Sequence, residues 1–261
     1  MARGGRVGWF VAIFLASLVT GSAVGAETPT YRELALSFLD RPADQLAQLF
    51  MKRERLGEIA LPSGRLVVAD PLSLTVPENE PNLPLALEPG RYAVDFVGFA
   101  SEETGARVAL AQLVVKEGPV RWRSVAGQAF SHTHVLVDAG LASFMSLEAY
   151  EIMRERLAES DYYGFVLSRE MERREPDVVL HTPPDQKGEP RSLAILHSGF
   201  GDGAYPIFEG IGPDGSTRRI AVTFNVMETL MHPNKNGDPE RDRVSPLLLR
   251  RIEGSNVEDG K

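Results

Sequence analysis

The chain has 261 residues, of which 43% are hydrophobic and 25% charged, and it contains no cysteine. A core of useful size is within its reach without disulfide staples, and thiolate zinc sites and thiolate nucleophiles are excluded. The formal charge of −8 at pH 7 argues against nucleic acid, whose phosphates need clustered Lys and Arg, and against an anionic membrane face.

Residues 1–26 read as a secretory signal. Arg3 and Arg6 form a charged start, Val7 to Val19 an apolar stretch, and Ala23-Val24-Gly25-Ala26 a small-residue cleavage site. The apolar stretch, interrupted by Gly8, is short for a membrane span of about 20 residues, so retention as an anchor is the weaker alternative. Cleavage after Ala26 gives an exported protein, periplasmic or extracellular and bacterial, with no stable membrane insertion once the signal is gone. Loss of Arg3 and Arg6 makes the mature chain two charges more acidic.

Residues 27–56 read as a helical N-terminal segment. Thr30 and Glu33 have capping-box spacing, Tyr31, Leu34 and Phe38 recur at helical intervals, and Leu46, Leu49 and Phe50 mark a second short helix beginning near Pro42. From residue 57 the texture becomes β. Glu58 to Leu61 and Arg65 to Ala69 flank Pro62-Ser63-Gly64 and predict a hairpin, which Asp70-Pro71 stops. After a Pro-rich loop, strands are expected at Tyr92 to Phe99, Arg107 to Val115, Val120 to Val125 and Val135 to Val137. Ser146 to Leu157 predicts an inserted helix, with Leu147, Tyr150, Met153 and Leu157 on one face. Further strands are expected at Val178 to Leu180, Leu193 to Leu196, Tyr205 to Glu209 and Arg219 to Val226, the last two joined by Asp214-Gly215. The β-rich domain extends over 57–253, and 254–261 reads as a disordered polar tail. Gly90-Arg91-Tyr92 and Gly203-Ala204-Tyr205 are alike enough to suggest two related halves.

Several short runs occur in a recognisable order: Leu61-Pro62-Ser63-Gly64-Arg65, Asp70-Pro71-Leu72, Pro89-Gly90-Arg91-Tyr92, Val120-Arg121-Trp122, Val137-Asp138-Ala139-Gly140 and His197-Ser198-Gly199-Phe200-Gly201-Asp202-Gly203 with Tyr205-Pro206. Over roughly Leu56 to Phe224 the chain resembles a bacterial family catalogued as domain of unknown function 4241. The resemblance implies one compact domain and names no activity. Such sequences often carry Cys where this chain has Ala69 and Ser143, acids where it has Ser146 and Thr223, and Trp where it has Phe200.

Asp70, Asp138 and Asp202 each adjoin an apolar strand and precede Pro, Ala-Gly or Gly. Converging strand ends would gather them into a hard-cation or acid-base site. The stronger reading is that each accepts backbone amides and fixes a turn. His132 and His134 alternate on an extended segment and His197 offers a third nitrogen for zinc, the alternative being a solvated loop or strand edge. His197 and Ser198, as neighbours on a strand, face opposite ways and cannot form a nucleophile-base pair. The Gly199, Gly201 and Gly203 run lacks the following helix that a dinucleotide site needs. Trp122, Tyr92, Tyr205 and Phe208 are core residues in the stronger reading and a recognition groove in the weaker one.

The expected protein is therefore α+β and predominantly antiparallel β, a sandwich or partly closed β-layer domain with a helical N-terminal preface and one inserted helix. Its leading function is non-catalytic binding of a protein or envelope component through the face carrying Phe200, Asp202 and Tyr205, with Gly201 and Gly203 as functional or turn-forming candidates beside them. The alternative is a hydrolase or metal-dependent enzyme using Asp202, Asp138 and His197. No cofactor is specified by these residues.

Overall fold

The computed structural model describes residues 35–75, 85–101, 105–125, 134–159, 178–181 and 190–226. They form two antiparallel sheets packed face to face, an α+β arrangement dominated by strand. Neither sheet closes on itself, so the molecule is a sandwich and not a barrel. None of the described helices is long and apolar enough to cross a membrane. His132, the capping-box pair Thr30 and Glu33, the signal segment 1–26 and the tail 254–261 lie outside the described residues.

The chain enters through a 3-10 turn, Phe38–Asp40, and helix α1, Ala43–Gln48. Pro42 directly before α1 suits the helix start, because a missing N–H is no loss there. Phe50 then takes a left-handed φ of 57° and its carbonyl accepts the Ala100 amide, turning the chain into strand β1, Met51–Leu61. The strand thus begins at Met51, ahead of the expected boundary at residue 57. Its first half, Lys52-Arg53-Glu54-Arg55, carries charges because β1 is the edge of its sheet, where exposed charged side chains discourage pairing with another chain.

The expected hairpin around Pro62-Ser63-Gly64 does not form. Strand β1 pairs with β4, Gly90–Ser101, whereas β2, Arg65–Ala69, pairs with β3, Leu85–Ala86, and with β8, Leu141–Ser146. The turn, closed by the Gly64 amide on Leu61 O at 3.0 Å, carries the chain from one sheet to the other. The first sheet continues from β4 through β5, Gly105–Val114, to β12, Thr217–Thr223, and β11, Gly203–Ile211. Two short strands, β6, Arg121–Ser124, and β7, His134–Val137, lie in line along the outer side of β11. The second sheet runs β3-β2-β8-β10-β9, with β9 at Val178–His181 and β10 at Leu193–His197. Helix α2, Leu147–Glu159, begins where the Ser146 hydroxyl accepts the Ala149 amide.

Strand alternation divides the apolar side chains among three cores. Between the sheets lie Ile59, Val68, Val94, Phe96, Leu113, Phe144, Leu196, Ile207 and Phe224. On the outer face of the first sheet, Leu36, Phe38, Leu39 and Leu46 of the helical preface cover Val97, Phe99, Leu110 and Phe208. On the outer face of the second, α2 supplies Tyr150 and Met153 against Val67, Met145, Leu193 and Ile195. Both sheets are therefore buried on two faces over part of their area, which removes the polar alternation that marks a half-exposed strand. Strand β8, central to the second sheet and absent from the sequence expectation, is buried at every position.

Candidate functional site

One end of the sandwich gathers three turns: the one after β2, the one joining β7 to β8, and the one joining β10 to β11. The last two each cross from one sheet to the other. Their common point is Asp138-Ala139-Gly140. The amides of Asp138 and Ala139 donate to Asp70 Oδ2 at 2.9 and 2.7 Å, and the amide of Gly140 donates to Asp202 Oδ1 at 3.0 Å. Three consecutive N–H groups of this kind form a cradle for an anion, and here the protein's own carboxylates fill it. The Gly140 carbonyl in turn accepts the Ser198 amide at 2.9 Å.

Asp70 is 1% exposed. Its carboxylate also accepts the Leu72 amide at 2.9 Å and the Ser73 hydroxyl at 3.3 Å, closing its own turn before it reaches across to residues 138 and 139. Burial holds its proton affinity above the ordinary carboxylate range, while the amide bonds act in the opposite sense. Asp138 shares in the cluster through its amide, and its side chain is exposed, as is that of Asp202.

The turn between β10 and β11 is braced from within. The Gly201 amide donates to Ser198 O at 2.9 Å, and the Ser198 hydroxyl donates to Gly201 O at 2.7 Å. The Tyr205 hydroxyl reaches Gly201 O at 2.6 Å and Ser198 O at 3.1 Å, and its ring meets Phe224 edge-on with centroids 5.4 Å apart. Burial pushes the Tyr205 phenol up from its usual value. Glycine is required at 199, where φ is 56° and a Cβ would come within 2.6 Å of Phe224 O.

These bonds leave Phe200 at the tip of the turn, 48% exposed, the single large hydrophobic side chain so placed among the described residues. Tyr205, expected on the same face, is 4% exposed and supports the turn from beneath. Tyr92 repeats the arrangement elsewhere: its hydroxyl donates to Glu88 O, four residues upstream, as Tyr205 does to Gly201 O. In both places the ring lies over a glycine two positions earlier, Gly90 and Gly203, with no Cβ to obstruct it. Of the other aromatics, Tyr92 and Phe208 are buried and Trp122 is half-buried against the preface core.

Strand alternation sends Leu193 and Ile195 toward α2 and Ala194 and Leu196 between the sheets. His197 is the last residue of β10, and Ser198 after it already belongs to the turn, its hydroxyl committed to Gly201 O. His197 is half-buried near Gly140, with its Nε2 3.8 Å from where a Gly140 Cβ would stand. His134 is half-buried on β7 opposite Pro206. Among the described residues, no three His, Asp or Glu side chains are gathered closely enough to hold a metal ion. The sequence pointed to Asp70, Asp138, Asp202 and the glycines as turn residues. It carried no signal that residues 138–140 would be the shared anchor, since the partners of that turn are distant in the chain.

A family model described as "Protein of unknown function (DUF4241)" matches residues 59–222, a span that includes all three turns. No curated protein and no solved structure matches the chain.

Proposed function

The chain belongs to the DUF4241 family, and from that premise we propose that it is an exported, non-catalytic binding domain whose recognition element is the Phe200 turn. The observation that carries this reading is an exposed aromatic on an internally braced loop. An aromatic side chain supplies a large contact area and loses little entropy on contact. The turn around Phe200 is held by Ser198, Gly201, Tyr205 and the Asp202 bond to Gly140, so the residue is carried on a braced backbone. Asp202, two residues on in the same turn, and Asp138, on the neighbouring turn, are exposed acids at this end of the sandwich, which favours a partner with a basic, apolar segment, either a protein or another envelope component.

Capture from a native envelope extract tests the reading. Immobilised mature protein retains a partner that Phe200→Ser fails to retain, while the two proteins unfold at the same urea concentration. Equal capture by both would remove Phe200 from the interface. Export is checked separately by N-terminal sequencing of protein recovered outside the cytoplasm, which should begin at Glu27. A start at Met1 would contradict the signal reading.

A further inference from the structure

The two halves of the chain build the same unit. In the first half β1 pairs with β4, β4 with β5, and β2 with β3. In the second, β7 pairs with β11, β11 with β12, and β8 with β10. The halves then join through like strands, β5 against β12 in the first sheet and β2 against β8 in the second, both antiparallel. That is the arrangement of a twofold dimer, in which the same surface of each copy meets itself.

Register carries the match residue by residue. Gly64 and Gly140, in the turns that cross between the sheets, are both left-handed, with φ of 73° and 68°. Three residues before them, Leu61 faces Gly90 and Val137 faces Gly203. Two residues after them, Leu66 faces Leu85 and Ala142 faces Leu196. Four residues after them, Val68 and Phe144 face each other, as equivalent residues on a twofold axis must. The Gly64 carbonyl accepts the Leu87 amide at 2.8 Å, and the Gly140 carbonyl accepts the Ser198 amide at 2.9 Å. Tyr92 and Tyr205 each place a hydroxyl on the carbonyl four residues back. Across the join, the Val115 amide donates to Arg218 O at 2.8 Å and the Phe224 amide to Ala109 O at 2.9 Å, the same bond made once in each direction. The acids take part as well: Asp70, after β2, holds the β7–β8 turn, and Glu148, just after β8, interacts with Ser63 of the β1–β2 turn. Chance likeness of two short motifs would not extend through pairing, register and hydrogen bonds together.

The copies differ at the turn that carries Phe200. Between the matched amide and the matched tyrosine, the second half has Ser198-Gly199-Phe200-Gly201-Asp202-Gly203 where the first has Leu87-Glu88-Pro89-Gly90, two residues fewer. Leu87 packs against the common core, whereas the longer turn leaves Phe200 exposed and ties Asp202 to Gly140. We propose that the sandwich is two copies of one β-unit, joined by a self-complementary surface at β5–β12 and β2–β8 whose fitting partner is a second copy of the unit. The Phe200 turn is then the lengthened counterpart of the Leu87 turn at the other end.

Exchange of the two turns in the full chain tests this. The sequence of residues 198–203 written in place of 87–90, with Tyr92 kept behind it, should give a protein that unfolds cooperatively in urea. Tyr92→Phe in that protein should lower the midpoint as Tyr205→Phe does in wild type. The reverse exchange, residues 87–90 in place of 198–203, should also fold, with a midpoint no lower than that of Asp202→Ala. As control, the same six residues in scrambled order at 87–90 should unfold at a lower urea concentration than the ordered graft. Failure of either exchange to fold, or a scrambled insert as stable as the ordered one, would overturn the proposal. All of these readings are taken without a partner, so they stand or fall apart from the binding assigned to Phe200.

Discussion

The Asp202 carboxylate accepts the Gly140 amide at 3.0 Å across 62 residues of chain, tying the β10–β11 turn that carries Phe200 to the β7–β8 turn, both of which cross between the sheets. Removing the acceptor in Asp202→Ala leaves the Gly140 amide without its bond and should destabilise the protein by about 1–2 kcal/mol. Asp202→Asn, which keeps an oxygen in place, should lose less than half of that. Urea unfolding of the three proteins orders them, and Ala equal to wild type would show that the bond contributes nothing.

Asp70 has the larger effect. Its single carboxylate serves the Leu72, Asp138 and Ala139 amides and the Ser73 hydroxyl in a buried setting. Asp70→Asn turns one acceptor into a donor facing those N–H groups, and a loss of about 2–3 kcal/mol is expected.

The same residue imposes a pH dependence with a definite sign. Its folded-state proton affinity lies above the ordinary carboxylate value because burial outweighs the amide bonds. Below the unfolded value both states hold the proton and the contribution is fully present. As pH rises, the unfolded chain releases the proton first, so stability is lost through the folded value. Measured from about pH 3 to about pH 7, wild type should lose stability relative to Asp70→Asn. A difference that grows in favour of wild type with rising pH would reverse the assignment.

Tyr205→Phe keeps the ring against Phe224 and deletes the hydroxyl that reaches Gly201 O and Ser198 O. A stability loss of about 1 kcal/mol is expected, together with faster amide exchange at Gly199 to Gly203. Unchanged exchange would mean that the turn is held without the phenol.

Gly199→Ala meets two obstacles at once, a left-handed φ of 56° and a Cβ within 2.6 Å of Phe224 O. The strain of φ alone is about 1–2 kcal/mol, and the backbone contact adds to it. Gly215→Ala, also at positive φ but in open space, should show the strain alone. Melting temperatures that fall equally in the two variants would remove the contact from the explanation.

Much of the strand order was legible because Tyr92 to Phe99, Arg107 to Val115 and Tyr205 to Glu209 are rich in branched and aromatic residues bounded by turn signals. Pairing was not. A strand, Pro-Ser-Gly and a second strand read the same whether the turn closes a hairpin or crosses between sheets. The choice between them rests on where Ile59 and Val68 find their partners in the common core. Strand β8 escaped notice because Ser143 and Ser146 interrupt its apolar run and both its faces are buried. In the turn cluster Asp70 and Asp202 accept backbone amides, as acids before Pro or Gly do, whereas Asp138 enters through its own amide, and the meeting of the two carboxylates on residues 138–140 depended on folding.

The most direct test of the Phe200 reading is photo-crosslinking in the native host, with a photoreactive phenylalanine analogue in place of Phe200 and, as control, in place of the exposed Glu151 on α2. A light-dependent adduct of defined mass at position 200 that is absent at position 151 is the result expected of a binding turn. No adduct at 200, or the same adduct at both positions, would contradict it.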